Sequence, residues 1–440
     1  MRGYRYVTKA RMVSEVEPGW LGEKPQIALS DYTNARHKGW ASTISGRNFR
    51  TFRAFAAAST LLLASCVTQD GGVSLPNLFQ PDPETAVEAL NRYYENIPSE
   101  NLPHAPEGVP LPASDAVISR ILLASCNDEE KDSPTLARLG EEEADLFLMI
   151  GDNVYGDRDG ASYAVNEPEL DELRESFSDL AENPAFQAVR AKFPMMVAWD
   201  DHDYGANDAG REFPFRRLAE RVHERFWGLE NKDVGAWPGT YYARSFGPEG
   251  QRTQIIMLDT RFFRSPLTAT DEYGVTGKER YIPSSDPNQD MLGNDQWTWL
   301  ENQLQKPADL RLIVSSIQVL PTDGHGWESW SRLPAEQQRL YNLIGETGAN
   351  GVVFVSGDRH TAFLYRSEAA LPYPAHELTA SSLNVSWAES TDETDTAQIG
   401  EGFPPDNYGA IGIDWTAGSV DLEIKNAAGE TVRQTTAQFR

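Results

Sequence analysis

The chain has 440 residues, with 66 acidic against 39 basic side chains and a formal net charge of −27. Such a surface repels nucleic acid and anionic lipid headgroups, which excludes a polyanion-binding module, and it attracts divalent cations. Cysteine occurs only at Cys66 and Cys126, so a disulfide framework is excluded as well.

The amino-terminal segment runs against the overall charge, with ten basic and four acidic residues between Met1 and Arg53. Behind it, "FRAFAAASTLLLAS" (Phe52 to Ser65) is a basic-flanked apolar stretch too short for a comfortable membrane span, which is the shape of a secretory signal. Leu63-Ala64-Ser65-Cys66 resembles a bacterial lipobox, in which Cys66 becomes the lipidated first residue of an exported protein held at the membrane by that lipid. Residues 1–66 are therefore expected to be a leader and 67–115 a Pro- and Asn-rich tether carrying one peripheral helix, Pro83 to Tyr94. With Cys66 lipidated, Cys126 is left as a lone thiol, and a metal would explain it.

From about residue 116 short apolar runs alternate with amphipathic stretches. "VISRILLA" (Val117 to Ala124), "DLFLMI" (Asp145 to Ile150), "MMVAW" (Met195 to Trp199), "QIIML" (Gln254 to Leu258), "LRLIVSS" (Leu310 to Ser316) and "GVVFV" (Gly351 to Val355) predict strands buried on both faces. Helices are expected over Ser133 to Glu143, Glu169 to Glu182, Arg216 to Phe226, Asp295 to Gln305 and Pro334 to Ile344. The alternation specifies the α/β class, with 116–440 as one domain and the polar segment 265–293 as a loop or lid.

Each strand runs into metal-competent residues: Ser125-Cys126-Asn127-Asp128, Gly151-Asp152-Asn153-Val154-Tyr155, Asp200-Asp201-His202-Asp203, Asp259-Thr260-Arg261, Gln318, and Ser356-Gly357-Asp358-Arg359-His360. Ligand sites of α/β sheets form beyond the carboxyl ends of the strands, so the six segments can meet in one pocket. One Gly-Asp turn is ordinary. Several acidic and imidazole groups at converging strand ends would repel one another without a cation, which argues for a multi-metal site. Thiolate, phenolate and imidazole suit a transition ion, whereas carboxylates and amides suit Ca²⁺, Mg²⁺ or Mn²⁺. Arg261 and Arg264 follow a buried strand in an acidic protein, where either an anionic ligand or neighbouring carboxylates would account for them.

In order, "SCN", "GDNVYGD", "WDDHDYG", "LDTRFFR", "MLGNDQWTWLENQL", "HGWESW" and "VSGDRHT" resemble the alkaline phosphatase D (PhoD-like) family of calcineurin-like metallophosphatases, over Val117 to Asn384. The resemblance implies a four-layer α/β/β/α metallophosphatase sandwich with two central sheets; the family's amino-terminal β-sandwich has no counterpart in Val67 to Asp115. It implies an exported phosphatase that hydrolyses phosphate monoesters or diesters with a metal-activated hydroxide. Asp152 would bridge Fe³⁺, held with Cys126, Tyr155 and His360, and Ca²⁺, held with Asp201, Asp358 and, on a weaker alignment, Gln318. Mn, Mg or Zn could stand in for either ion. His202 and Arg261 are the expected catalytic residues, and Arg261, Arg264 and Asn153 the expected contacts to the phosphate ester. Asp259 is expected to orient Arg261, and Trp327, Glu328 and Trp330 to wall the pocket. The competing readings are a phosphodiesterase or phospholipase-type enzyme on lipid or wall polymers, and a non-catalytic Ca²⁺-binding surface lipoprotein. Retention of Cys126 and Tyr155 disfavours the latter, because Ca²⁺ needs neither thiolate nor phenolate.

Overall fold

Along the second strand, β2 (Leu146–Ile150), every residue is buried, yet Phe147 and Met149 join one apolar cluster while Leu146, Leu148 and Ile150 join another. Successive strand side chains point to opposite faces, so two cores must flank this sheet. The same division holds on β1 (Arg120–Ala124), where Leu122 and Ala124 oppose Ile121 and Leu123, and on β3 (Met195–Ala198), where Val197 opposes Met196 and Ala198. Further along the chain, β5 (Thr253–Met257), β6 (Leu310–Val314) and β7 (Val352–Ser356) repeat it: Ile255, Leu312 and Val353 share the middle core, while Ile256, Ile313 and Phe354 enter a third.

The computed structural model describes residues 85–157, 167–322, 324–387, 393 and 395–440. The expected leader, the lipid-anchor cysteine Cys66 and the tether up to residue 84 lie outside the described residues. No helix among the described residues is long and apolar enough to cross a membrane.

Two six-stranded sheets lie face to face around the middle core. In the first, β1, β2 and β3 are parallel, and β10 (Asn407–Asp414), β11 (Ser419–Asn426) and β12 (Thr431–Gln438) add antiparallel beyond β1. In the second, parallel β5, β6, β7 and β9 (Ala375–Thr379) are edged by antiparallel β4 (Tyr242–Phe246) and β8 (Phe363–Ser367). The outer face of the first sheet is covered by α1 (Ala86–Glu95), α2 (Pro134–Leu139), α3 (Asp171–Glu182), α4 (Pro184–Lys192) and α6 (Arg216–Trp227), the short α5 (Asp201–Tyr204) leading into the last. The outer face of the second carries α7 (Gly293–Leu304) and α8 (Pro334–Thr347). The result is the α/β/β/α sandwich.

All six apolar runs form strands, and the helices depart from their expected limits for local reasons. Helix α2 stops at Leu139 rather than Glu143, because Gly140 caps it and the following Glu141 to Glu143 would place three negative charges at the negative end of the helix dipole. Helix α4 was not foreseen; Asn183 accepts from the amides of Ala185 and Phe186 and Pro184 occupies the first turn, so a second helix starts where α3 ends. Helix α1 carries a capping box, Thr85 with Glu88, and buries Tyr94, whose hydroxyl donates to the Pro168 carbonyl at 2.6 Å. Segment 265–293 contains only isolated bridges, among them Ala269 with Tyr281, and its amides at Arg280 and Tyr281 both donate to the Gly326 carbonyl.

On α6 the buried His223 has no hydrogen-bond partner at either ring nitrogen and lies among Phe177, Trp199 and Trp227. Burial depresses its pKa to about 3. In the unfolded chain it protonates near 6.5, so below that pH the unfolded state binds the extra proton and stability falls as pH falls toward 3. His223→Phe should therefore remove about 1 kcal/mol of the wild-type stability loss between pH 7.5 and 5.5, read from urea midpoints at the two pH values.

Candidate metal centre

The strands end on one side, and their last turns are held open by unusual backbone. Cys126, Asp152, Asp358 and His360 all adopt positive φ (55°, 49°, 66° and 53°), four of the six non-glycine residues that do so among the described residues. Left-handed conformations cost energy in such side chains and persist where the surroundings impose them. Gly151 before Asp152 has φ 112°, and a Cβ there would sit 2.7 Å from the Asp200 Cβ, so only glycine lets the β2 and β3 turns approach so closely. The amides of Cys126 and Asn127 donate to the carbonyls of Gly151 and Asp152, carrying the β1–β2 ladder one step into the site.

Of four sets of potential ligand atoms among the described residues, each mutually within 4.8 Å, three share one residue: Cys126 with Asp152 and His360; Asp152 with Asp201 and His202; and Asp152 with Asp200, Asp201 and Asp358; the fourth is Asp201 with Asp208 and Glu328. Asp152 is thus the common member of the first three. Its Oδ2 is 3.5 Å from both the Cys126 Sγ and the Tyr155 Oη, which aligns the phenol with the thiol side. His360 Nδ1 lies 2.6 Å from the Val385 carbonyl oxygen. A carbonyl only accepts, so the proton sits on Nδ1 and ligation falls to Nε2.

The electrostatics demand positive charge. Burial, followed by repulsion from Asp201, Cys126 and Asp200, pushes the Asp152 pKa well above the carboxylate range. Asp358 is raised in the same way, by burial and then by Asp200 and Glu328, and burial lifts the Cys126 thiol to about 11. Asp200 is raised to about 6, burial outweighing Arg261; Asp201 is held below its usual value against the effect of burial, by His202 and Arg261. Neither Asp152 nor Asp358 has a guanidinium or ammonium within ion-pair distance among the described residues. The donors fit two cations: sulfur, phenol, imidazole and the Asp152 carboxylate on one side suit a transition ion, and an all-carboxylate set on the other suits a hard one. Bound cations would oppose the upward shifts of Asp152, Asp358, Cys126 and Asp200.

Other expected residues are placed differently. Gln318 donates from Nε2 to Tyr365 Oη (3.1 Å) and Thr379 Oγ1 (2.9 Å), and its Oε1 lies 3.0 Å from His325 Nε2, so its amide is committed to a buried network and not to the carboxylates. Arg261 is fully buried; its Nε donates to Asp200 Oδ1 at 2.5 Å and its Nη2 lies 2.5 Å from Glu328 Oε2. Arg264, equally buried, pairs with Glu328 at 2.8 Å and donates to the carbonyls of Asp208 and Ala209. Both arginines pair with the site's own carboxylates. The Asn153 amide nitrogen is held by the Ala198 carbonyl (2.8 Å) and Asp203, which makes it a brace between β2 and β3. Asp259 accepts from the amides of Thr240, Arg261 and Phe262; it shapes the turn, while Asp200 orients the Arg261 guanidinium.

Four further residues contribute; the sequence places Asp200 among the metal-competent residues and Glu328 in the pocket wall, and assigns no role to Ser381 or Asp157. Asp200 joins the carboxylate set, and Glu328, with its pKa raised to about 7 chiefly by burial, bridges Arg261 and Arg264. Ser381 touches Cys126 Sγ at 3.1 Å and accepts from the His360 amide at 2.7 Å. Asp157 Oδ1 lies 2.5 Å from His202 Nδ1, fixing the imidazole so that its chemistry falls to Nε2. Asp157→Asn should lower kcat for phosphate-ester hydrolysis about 10- to 100-fold with little change in KM, as measured by steady-state kinetics on metal-saturated protein.

A shared carboxylate between a thiol–imidazole set and an all-oxygen set, at the strand ends of a two-sheet sandwich, defines a metallophosphatase scaffold. The chain belongs to the PhoD-like phosphatase family, whose family model matches residues 121–424. It is 25% identical over 284 residues to alkaline phosphatase D of Bacillus subtilis (strain 168), an alignment covering 58% of this chain and 48% of that protein. The chain thus spans about half the length of that curated relative. Among solved structures, one titled "Structure of PhoD" aligns with TM-score 0.55 at 17% identity, covering 75% of this chain and 70% of the other. The purple acid phosphatase PPD1 from yellow lupin (Lupinus luteus) aligns at TM-score 0.47 and 12% identity, over 74% of this chain and 54% of its own.

Proposed function

We propose that the chain is an exported, metal-dependent phosphoesterase acting on phosphate monoesters, diesters or both, with iron on the Cys126–Tyr155–His360 side of Asp152 and calcium on the Asp200–Asp201–Asp358 side. The observation that carries this reading is the position of Asp152 in three of the four ligand sets, where it alone joins the thiol–imidazole set to the carboxylate set. When bound, two cations would draw charge from the phosphoryl oxygens and acidify water near neutral pH. The chain's own residues supply the rest. Asp152 sets the separation of the two halves, and Arg261, locked between Asp200 and Glu328, keeps the carboxylate group from excess negative charge. His202, held by Asp157, would give an Nε2 proton to the departing ester oxygen as that P–O bond breaks and take one back from the water whose oxygen forms the new P–O bond. Cys126, Tyr155 and Val385 form a small buried apolar cluster that keeps bulk water from the thiol side. The leader-like segment ending at Cys66 supports export and lipid anchoring in the bacterial envelope.

The test is elemental analysis of protein exported and purified without chelators, paired with hydrolysis of 4-nitrophenyl phosphate and bis(4-nitrophenyl) phosphate before and after Cys126→Ala. Iron with calcium, and activity lost with the thiol, would uphold the proposal and rank the two ester classes. Calcium alone with no hydrolysis would replace it with a surface Ca²⁺-binding protein.

A further inference from the structure

Trp387 is the one large aromatic of the described residues that is both substantially exposed (37%) and in contact with the metal centre. Its indole lies parallel to the His360 imidazole, centroids 4.8 Å apart and planes 7° apart, and its amide donates to the His360 carbonyl at 2.8 Å. Trp327 stands 5.0 Å away, its ring tilted by 59° to that of Trp387. Arg280 and Arg359 each place a guanidinium carbon within 6 Å of the Trp327 ring, at 5.7 and 5.9 Å. Their charges are balanced by Asp208 and Glu393. Holding His360 needs a covered ring, which the Val385 hydrogen bond and any buried apolar side chain would supply; it does not need an indole left open to water. A tryptophan exposed beside a cluster of polar ligand groups is a recognition surface by its physical character, with a large polarisable face and little side-chain entropy to lose.

We propose that Trp387, backed by Trp327, is the seat for the organic group of the ester, and that the preferred substrates carry a planar ring close to the phosphorus. This rests on the phosphoesterase reading, because it is the phosphoryl group held at the metal centre that brings the ester's other substituent over the indole next to His360. Flat rings gain on an indole face by stacking whether they are nucleobases or simple arenes, whereas a small polyol gains little.

The test uses three primary alkyl phosphates of matched leaving-group basicity: adenosine 5′-phosphate, 2-phenylethyl phosphate and glycerol 3-phosphate. For metal-saturated Trp387→Ala, the ratio of kcat/KM for each ring-bearing ester to that for glycerol 3-phosphate should fall about tenfold or more, and Trp387→Phe should restore most of it. A fall confined to adenosine 5′-phosphate would narrow the class to nucleoside phosphates, and a fall for both ring-bearing esters would keep it at planar rings generally. An equal fall for all three overturns the proposal and leaves Trp387 as a prop for His360. If the wild-type protein turned over none of the three and did not hydrolyse bis(4-nitrophenyl) phosphate either, the phosphoesterase reading would fail on its own account. Calorimetric titration would then decide the platform separately: ring-bearing esters binding about tenfold more tightly than glycerol 3-phosphate uphold it, and equal affinities overturn it.

Discussion

Asp152→Asn is expected to abolish hydrolysis, by about a thousandfold or more, and at the same time to raise the urea midpoint of the metal-stripped protein. The first effect follows from the residue's membership of both halves of the centre. Loss of one bridging charge weakens both cation sites at once, and cationic stabilisation of a phosphoryl transition state is worth several kcal/mol, about 1.4 kcal/mol for each factor of ten. The second follows from the same geometry without metal. Asp152 is buried beside Asp201, Cys126 and Asp200, and its pKa is raised well above the unfolded value. The sign is then fixed: at pH 7 the unfolded chain holds the carboxylate ionised, and folding must protonate it or bear the repulsion, so the group costs stability above the unfolded pKa near 4. Asparagine removes that cost, by about 1–4 kcal/mol, and the advantage should shrink as pH falls toward 4. With saturating iron and calcium the order should reverse, because cations that bind only the folded protein stabilise it. Urea titrations of both proteins, stripped and loaded, at pH 7.5 and 4.5 read all four cases; a mutant less stable than wild type when stripped at pH 7.5 would contradict the electrostatic account.

That crossing of stability and function explains which parts of the protein were legible in its sequence. Strands β1, β2, β3, β5, β6 and β7 stand out because burial on both faces makes each a short unbroken apolar run. Strand β10, "NYGAIGID", is equally buried but interrupted by glycines, and Gly409 is needed where a Cβ would meet Leu123 at 2.8 Å. Strand β12, "TVRQTTAQ", is an edge strand with mostly solvent-facing residues, so no apolar signal marks it. At the site, Cys126, Asp152, Asp201, Asp358 and His360 were readable because each lies within a few residues of a strand end, where the chain direction already aims it. Gln318 follows β6 as well, but the turn through Ser315, whose hydroxyl donates to the Ile317 carbonyl at 2.6 Å, carries it into the network with Tyr365 and Thr379. The arginines illustrate the other limit. Composition called for an anion near Arg261 and Arg264, and it could not say whether that anion was a ligand or Glu328, more than sixty residues away in the chain. Asp157 meets His202, 45 residues distant, and Trp387 stacks on His360, 27 residues distant, and no local pattern reports such a pairing.

Arg261→Met is the substitution expected to cost the most stability, about 3–5 kcal/mol in the metal-free protein. The guanidinium is fully buried, donates to Asp200 through Nε, meets Glu328 through Nη2 and lies 4.0 Å from Asp201. Ser316 already gives its hydroxyl to Asp200 at 2.6 Å, so one acceptor site stays satisfied after the change, but no other cation faces Asp200 among the described residues. Glu328 keeps Arg264 and is the less damaged partner. Methionine matches much of the arginine stem, so the loss reports charge more than cavity. The double variant Arg261→Met with Asp200→Asn separates these contributions: removing the orphaned carboxylate should return about half of the lost stability, and a double-mutant cycle in urea would show a coupling of at least about 1 kcal/mol. Activity should not return with it, since the double variant also lacks an oxygen donor of the Asp152, Asp201 and Asp358 set. Additive stability losses in that cycle would mean that Arg261 holds the fold by packing, and that the negative charge at the strand ends is balanced by something other than its guanidinium.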